Sequence, residues 1–410
     1  MDKLKLLNID LRLFDGNTNV TTDSGLSDEM KTYYSDYLID MAEPKLVHDQ
    51  FAQKHPIPKN GGKVIEFRKY SPLPKLLTPL DEGVTPDGQK INMSVLTAQV
   101  DQYGGFVELS DILLLTAIDN NLVQATKLLG SQAGRTLDTI TREVLVGGTN
   151  VQYGAGSKAA RYQLTGGEES GNDYLTVDCI KRAVRSLKAM NAEKIGDRYV
   201  AIINQDCSYD LTNDPDWKYP HQYQDTTELY AGEIGSIAGC RFVETSEAKI
   251  FHAADLASDS RTLLVNGAIS SASPTVTFDG GTVKANELVG RYVLIGDNYA
   301  KITANTTTTL TLDKSITATD NEVIYPGEAG KNGRDVYATI VLGENAYGTT
   351  EVEGGGLQHI VKQLGSAGTA DPLNQRATAG WKATKVAKRL VEEYMVRIET
   401  CSTFNDIGAN

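Results

Sequence analysis

The chain has 410 residues, 40% hydrophobic and 23% charged, which is enough for two or three domains and a sizeable core. Its formal net charge of −13 argues against a dedicated nucleic-acid binder, which displays a basic face. Cys179, Cys207, Cys240 and Cys401 are too widely spaced for a CxxC metal site or a disulfide framework, so free thiols in a reducing compartment are expected.

The N-terminal stretch MDKLKLLNIDLRLFDG spreads its charges too evenly for a signal peptide, and synthesis and assembly in a cytoplasm are expected. Residues 1–25 end in the polar run NTNVTTDSG, which should order only against a partner. Ser27 is placed to cap a helix through Met41, and Pro44 ends or kinks it. Leu46–Gln53 adds two turns before His55-Pro-Ile-Pro58 and Gly61-Gly62 break the chain. This segment reads as an arm more than a domain.

Lys63–Tyr70 reads as a strand and Ser94–Val107 as its return. Pro72, Pro74, Pro79 and Pro86 lie between them, with Gly83 and Gly88. So long a connection without a helix is either a binding lid or an extended hairpin that packs on another molecule. Leu73, Leu76, Leu77 and Leu80 at its tip have no intramolecular partner in the pattern, which favours a subunit contact.

Val107–Gly148 holds the longest helical pattern. Ile118, Leu122, Ala125, Leu129, Ala133, Leu137, Ile140 and Val144 recur every ~3.7 residues, close to one helical turn. Gly147-Gly148 stops the helix. Asp119-Asn-Asn121 divides it into a short helix, Asp111–Ala117, and a long one, Leu122–Val146. Asp119, Lys127, Arg135, Asp138, Arg142 and Glu143 rule out a membrane span. Gly130 and Gly134, four apart on one face, permit close backbone approach or a bend. The segment reads as a spine on which a sheet lies.

Within the glycine-rich loop Gly147–Gly171, Gly154–Ala159 matches a dinucleotide fingerprint in letters only, because it follows a helix and opens none. Thr176–Met190 reads as an amphipathic helix capped by Thr176, Arg198–Asn204 as a buried strand, and Gln205–Thr212 as a short helix. Asp206, Asp210, Asp214 and Asp216 lack calcium-loop spacing and read as a solvated face. Gly232–Thr245 adds a strand to this α+β module. From about residue 257 the composition changes: residues 261–325 hold twelve threonines in short β-rich runs, the pattern of a small sandwich or barrel inserted at 257–330. Asp335–Gly343 and Leu357–Leu364 resume buried strands, and Arg376–Thr400 reads as a closing hairpin.

No HExxH, GxSxG, P-loop or paired zinc motif occurs, and His48, His55, His221, His252 and His359 fall on five different elements. No catalytic, cofactor or metal residue is assigned, and no enzyme is expected. Asn92-Met-Ser94 and Asn305-Thr-Thr307 match glycosylation sequons, without consequence in the absence of secretion.

GGKVIEFRKY, DQYGGFVELSD, LGSQAGRTLDTITREVLVGGTNV, GEIGSIAGCRFVET, VYATIVLG, DPLNQRATAGWK and YMVRIE occur in that order. Together they resemble tailed-bacteriophage major capsid proteins of the Hong Kong 97-type fold, in particular the branch typified by the coliphage N-four capsid protein. The resemblance implies an α+β capsid fold with an N-terminal arm at 1–60 and an extended loop hairpin at 61–105. The peripheral domain with its spine helix would be 106–174 and 371–410, and the axial domain 175–256 and 331–370. The 257–330 insertion departs from the minimal pattern and is expected on the outer surface.

The implied function is a structural subunit whose hexamers and pentamers build an icosahedral shell around phage double-stranded DNA. Its partners would be copies of itself, a separate scaffolding protein, a portal, a decoration protein and DNA held by non-specific contact, with no membrane. An acidic subunit suits a container that must not adhere to DNA. An encapsulin-like nanocompartment is the alternative, followed by a hydrolase with a lid at Ser71–Pro86. A cell-surface adhesin, drawn from the threonine-rich insert, conflicts with the missing export signal.

Overall fold

The structure is a computed structural model that describes residues 18–20, 47–70, 73–77, 79, 87–116, 121–156, 158–166, 173–221, 235–252, 255–259, 261–366 and 372–404. The expected helix Ser27–Met41 lies outside them. The chain divides into two compact units, Met1–Thr141 with Gly348–Leu390, and Arg142–Tyr347 with Val391–Asn410.

The first unit is built on a pair of long strands. β5 (Asp101–Ser110) and β20 (Arg376–Arg389) run antiparallel from Arg376 opposite Ser110 to Lys385 opposite Asp101. β19 (Gln358–Lys362) lies on β20, β1 (Thr18–Val20) runs parallel to β5, and β18 (Tyr347–Thr350) carries β2 (Gln53–Lys54). Alternation along β20 turns Ala377, Ala379, Trp381 and Ala383 to one face. There they meet Leu129, Ala133 and Leu137 of the long helix. Three alanines opposite Ala133 let helix and sheet approach closely, and the Trp381 indole N–H donates to Gln132 Oε1 at 3.1 Å.

The helical segment is divided as expected, into α1 (Asp111–Thr116) and α2 (Asn121–Val146). Gly130 and Gly134 are buried within α2, which stays helical through both. Residues 47–57 are fastened to this unit and do not form the two expected helical turns. His48 is bound to Asp138, Asp49 Oδ1 lies 2.9 Å from Lys385 Nζ, and Ile57 N–H donates to Glu351 O at 2.8 Å. The arm therefore does not extend free to residue 60. Short prolyl strands that find a sheet edge gain ladder bonds that an isolated two-turn helix lacks.

The second unit holds a sheet in the order β6 (Val151–Tyr153), β21 (Met395–Thr400), β17 (Val336–Leu342), β7 (Tyr199–Ile203), β9 (Cys240–Glu244), β8 (Ser236–Ile237), with β10 (Ile250–Phe251) on β17. α3 (Val177–Ala189) lays Ile180, Ala183, Val184 and Leu187 on it. Thr176 makes no side-chain cap bond; Asp214 Oδ2 instead accepts the Val177 N–H at 2.8 Å. α4 (Gln205–Asn213) is capped by Asn204, and α5 (Pro215–His221) follows.

Two sequence expectations are corrected here. The acidic cluster is a solvated face only in part: Asp216 is exposed, whereas the others are drawn into the fold. Asp210 is buried and accepts the Ser402 hydroxyl at 2.7 Å and the Thr403 N–H at 3.0 Å, and Asp206 accepts the Tyr337 hydroxyl at 2.8 Å. Donors that arrive from distant sequence take up carboxylates that otherwise look like surface charge. Arg376–Thr400 is not a hairpin either. β20 pairs with β5 in the first unit, whereas β21 pairs with β17 and, in parallel, with β6 in the second. Residues 348–370 consequently belong with the spine, and 142–174 with the second unit.

β21 also carries a buried charge network. Glu399, fully buried, accepts Arg161 Nε at 2.7 Å, Arg161 Nη2 at 2.8 Å and Arg397 Nε at 2.8 Å. The Arg161 guanidinium sits 3.3 Å from the Phe251 ring centroid. A carboxylate so ringed is satisfied; removing it would strand two cations.

The threonine-rich stretch forms a closed barrel, β11 (Leu263–Val265), β12 (Ile269–Asp279), β15 (Thr309–Ala318), β14 (Asn298–Asn305), β13 (Tyr292–Ile295) and β16 (Val323–Pro326). Alternation sends Val276, Phe278, Ile302, Leu310 and Leu312 inward, and threonines between them face water. Gly280, at φ +88°, closes β12 where a Cβ would stand 2.5 Å from Thr262 O. Closure leaves no free edge, so the barrel has its own core, separate from the α3 sheet. Tyr162, Tyr299 and Tyr292 stack at its base, with ring centroids 4.4 and 5.2 Å apart.

Candidate subunit-contact surface

β3 (Val64–Tyr70) and β4 (Met93–Gln99) form a two-stranded sheet of their own, in register from Val64 opposite Gln99 to Tyr70 opposite Met93. Its return strand is therefore β4, and β5 belongs to the neighbouring sheet of the same unit. At the root, Ala98 is buried, and Phe67 meets His55 edge-to-face with centroids 6.0 Å apart. Further out, the apolar residues face solvent: Tyr70 is 63% exposed, Ile91 70%, Leu76 79% and Leu77 87%.

Leu73 is exposed as well, while Leu80 lies outside the described residues. Soluble monomers rarely leave a contiguous apolar patch in water, and each leucine gains about 1.5–3 kcal/mol on full burial. An isolated two-stranded hairpin is at best marginally stable. The arrangement suits a surface completed by another molecule. Sequence reasoning found the leucines but missed Tyr70, Ile91, Met93 and Val95. Their signal was apolar residues on both faces of an alternating strand, which a one-sided core does not require.

Several titratable groups elsewhere are engaged in the fold. His252 Nδ1 lies 2.9 Å from Asp335 Oδ1. Burial pushes the Cys240 and Cys401 thiols up to about 12, so neither is a thiolate at neutral pH. Among the described residues no three His, Cys, Asp or Glu side chains are grouped to hold a metal ion, and no helix is long and apolar enough to cross a membrane.

No family model matches the chain, and no curated protein matches its sequence. Solved structures do. The capsid of cyanophage Pam1 aligns at a TM-score of 0.52 and 13% identity, over 86% of this chain and 89% of that one. The capsid of cyanophage P-SCSP1u aligns at 0.49 and 12% identity, over 86% and 87% of the two chains. The Ralstonia phage GP4 capsid aligns at 0.49 and 12%, over 88% and 89%. The fold assignment rests on the Pam1 alignment. The comparisons do not single out the N-four branch. The chain has the Hong Kong 97-type capsid fold, with a closed β barrel set into it.

Proposed function

We propose that the chain is the major structural subunit of a tailed-phage head, whose hexamers and pentamers build an icosahedral shell around double-stranded DNA. The observation that carries this reading is the exposed apolar set Tyr70, Leu73, Leu76, Leu77, Ile91 and Met93, on a chain with a capsid fold. Shells are held by many extended contacts and need no single strong site. In this reading the first unit supplies the loop and spine, the second the axial module, and the barrel faces outward. Its role is structural and non-enzymatic. A separate scaffolding protein, a portal, a decoration protein and packaged DNA are its further partners, met in the cytoplasm of a bacterial host.

Replacing Leu76 and Leu77 together by Asp tests the reading. The double variant should keep its circular dichroism and lose particles in electron micrographs, because burying two carboxylates is prohibitive. Wild-type particle yields from that variant would overturn it. Nucleic acid in purified wild-type particles distinguishes a phage head from a nanocompartment, which would hold a peptide-tagged enzyme.

A further inference from the structure

A cationic groove lies along the open edge of the second unit's sheet. β6 ends that sheet and, among the described residues, pairs only with β21. Asn150 O accepts the Arg397 N–H and Gly154 N–H donates to Glu399 O. Strand alternation therefore turns the N–H groups of Val151 and Tyr153 to the open side. A cavity of about 560 Å³ is lined by this edge, by Lys158 from the loop after it, and by Arg182 and Arg185 of α3.

Among the described residues no Asp or Glu lines the cavity. Arg182 Nε is 2.7 Å from Asp178 Oδ2, but both side chains of that pair are more than half exposed, so it is weak and readily exchanged. Lys158 and Arg185 have no carboxylate partner among the described residues. Three cations around one concavity create a local positive potential that the chain's acidic total does not cancel beyond a Debye length of ~8–10 Å.

We infer that this groove binds phosphate groups, presented either by nucleic-acid backbone or by a free polyphosphate. Two guanidinium groups three residues apart on one helix face, facing edge amides, offer the forked donors that tetrahedral oxyanions take. An acidic peptide suits the site less well. Strand addition needs alternating donors and acceptors, and the Tyr153 carbonyl is already taken by the Gly156 N–H at 2.9 Å.

The test uses the purified full-length chain with two probes, a random-sequence DNA duplex and inorganic pyrophosphate. Wild type should bind at least one. If it binds the duplex, log K should fall with log salt at a slope of roughly −2 to −3, as expected for about three phosphates. The R182A/R185A variant should bind the same probe about tenfold or more weakly, and for the duplex the slope should shrink by about two. Lys158→Ala, on a different element, should reproduce a smaller loss and guards against a folding defect in the pair. Duplex binding alone assigns the backbone as the source, and pyrophosphate binding alone a free phosphate. The inference is overturned if neither probe binds, if the double variant binds as wild type does, or if oligoglutamate binds more tightly than both. Particle formation is scored separately in micrographs, so a failed shell reading and a failed groove give different results.

Discussion

The backbone N–H of His48 donates to Asp138 Oδ1 at 2.8 Å, and the ring Nδ1 of His48 lies 2.6 Å from Oδ2 of the same carboxylate, with both side chains fully buried. A residue near the start of the described chain is thereby clamped to the middle of the spine helix. Removing the carboxylate would take away the Asp138 acceptor of a buried backbone donor and of a buried ring nitrogen, each loss worth about 1–3 kcal/mol. Asp138→Ala should lower the stability of the first unit by roughly 2–4 kcal/mol and deprotect the His48 amide in hydrogen exchange. An unchanged urea midpoint with full His48 protection would show that the clamp contributes nothing.

His359 sets a pH dependence in the same unit. It stands opposite Trp381 on β19, burial holds its pKa below the ordinary 6.5, and its Nε2 has no partner among the described residues. As pH falls the unfolded chain takes the proton first. The stability associated with neutral His359 is therefore complete above about 6.5 and is lost as pH falls toward the depressed folded value. Melting temperature should drop more between about pH 7.5 and pH 5.5 in wild type than in His359→Gln. Equal drops would mean that His359 is not the sensor.

Gly130 and Gly134 are buried in an unbroken helix, where each costs up to about 1 kcal/mol of helix stability against Ala. Their retention in the spine is explained if the helix must bend between capsomer shapes. The G130A/G134A variant should fold with unimpaired helicity and yet assemble or mature poorly. Normal particles from it would remove the bending role.

The barrel closes on itself and its entry and exit strands pair, Leu263 opposite Ile324. A linker replacing residues 264–323 then has to span only about one strand spacing, ~4.8 Å. Particles should still form without it, with a thinner outer contour. Insoluble protein would show that the barrel is integral to the core.

The sequence spoke most clearly where periodicity was long. The spine stripe, the α3 helix, the buried run of β17 and the threonine-rich insert were all legible, because each obeys its own period over several turns or strands. What pairs with what was not. Met395–Thr400 alternates as a hairpin partner should, yet its neighbours are Val336–Leu342 and Val151–Tyr153, far away in the chain. Asp210 read as surface charge, and the burial of Asp138 and Glu399 was not legible, because their donors, Ser402, His48 and Arg161, come from remote segments. The contact leucines were legible as apolar residues in a proline-rich loop, but the exposed face of β3 and β4 required the register.

The central claim is that this chain builds a closed shell. Electron microscopy of the purified full-length protein, with or without a co-expressed scaffolding protein, addresses it most directly. The account predicts uniform icosahedral particles, or free hexamers and pentamers that convert to them. A small oligomer of fixed size that never assembles at any concentration, with or without scaffold, would contradict it.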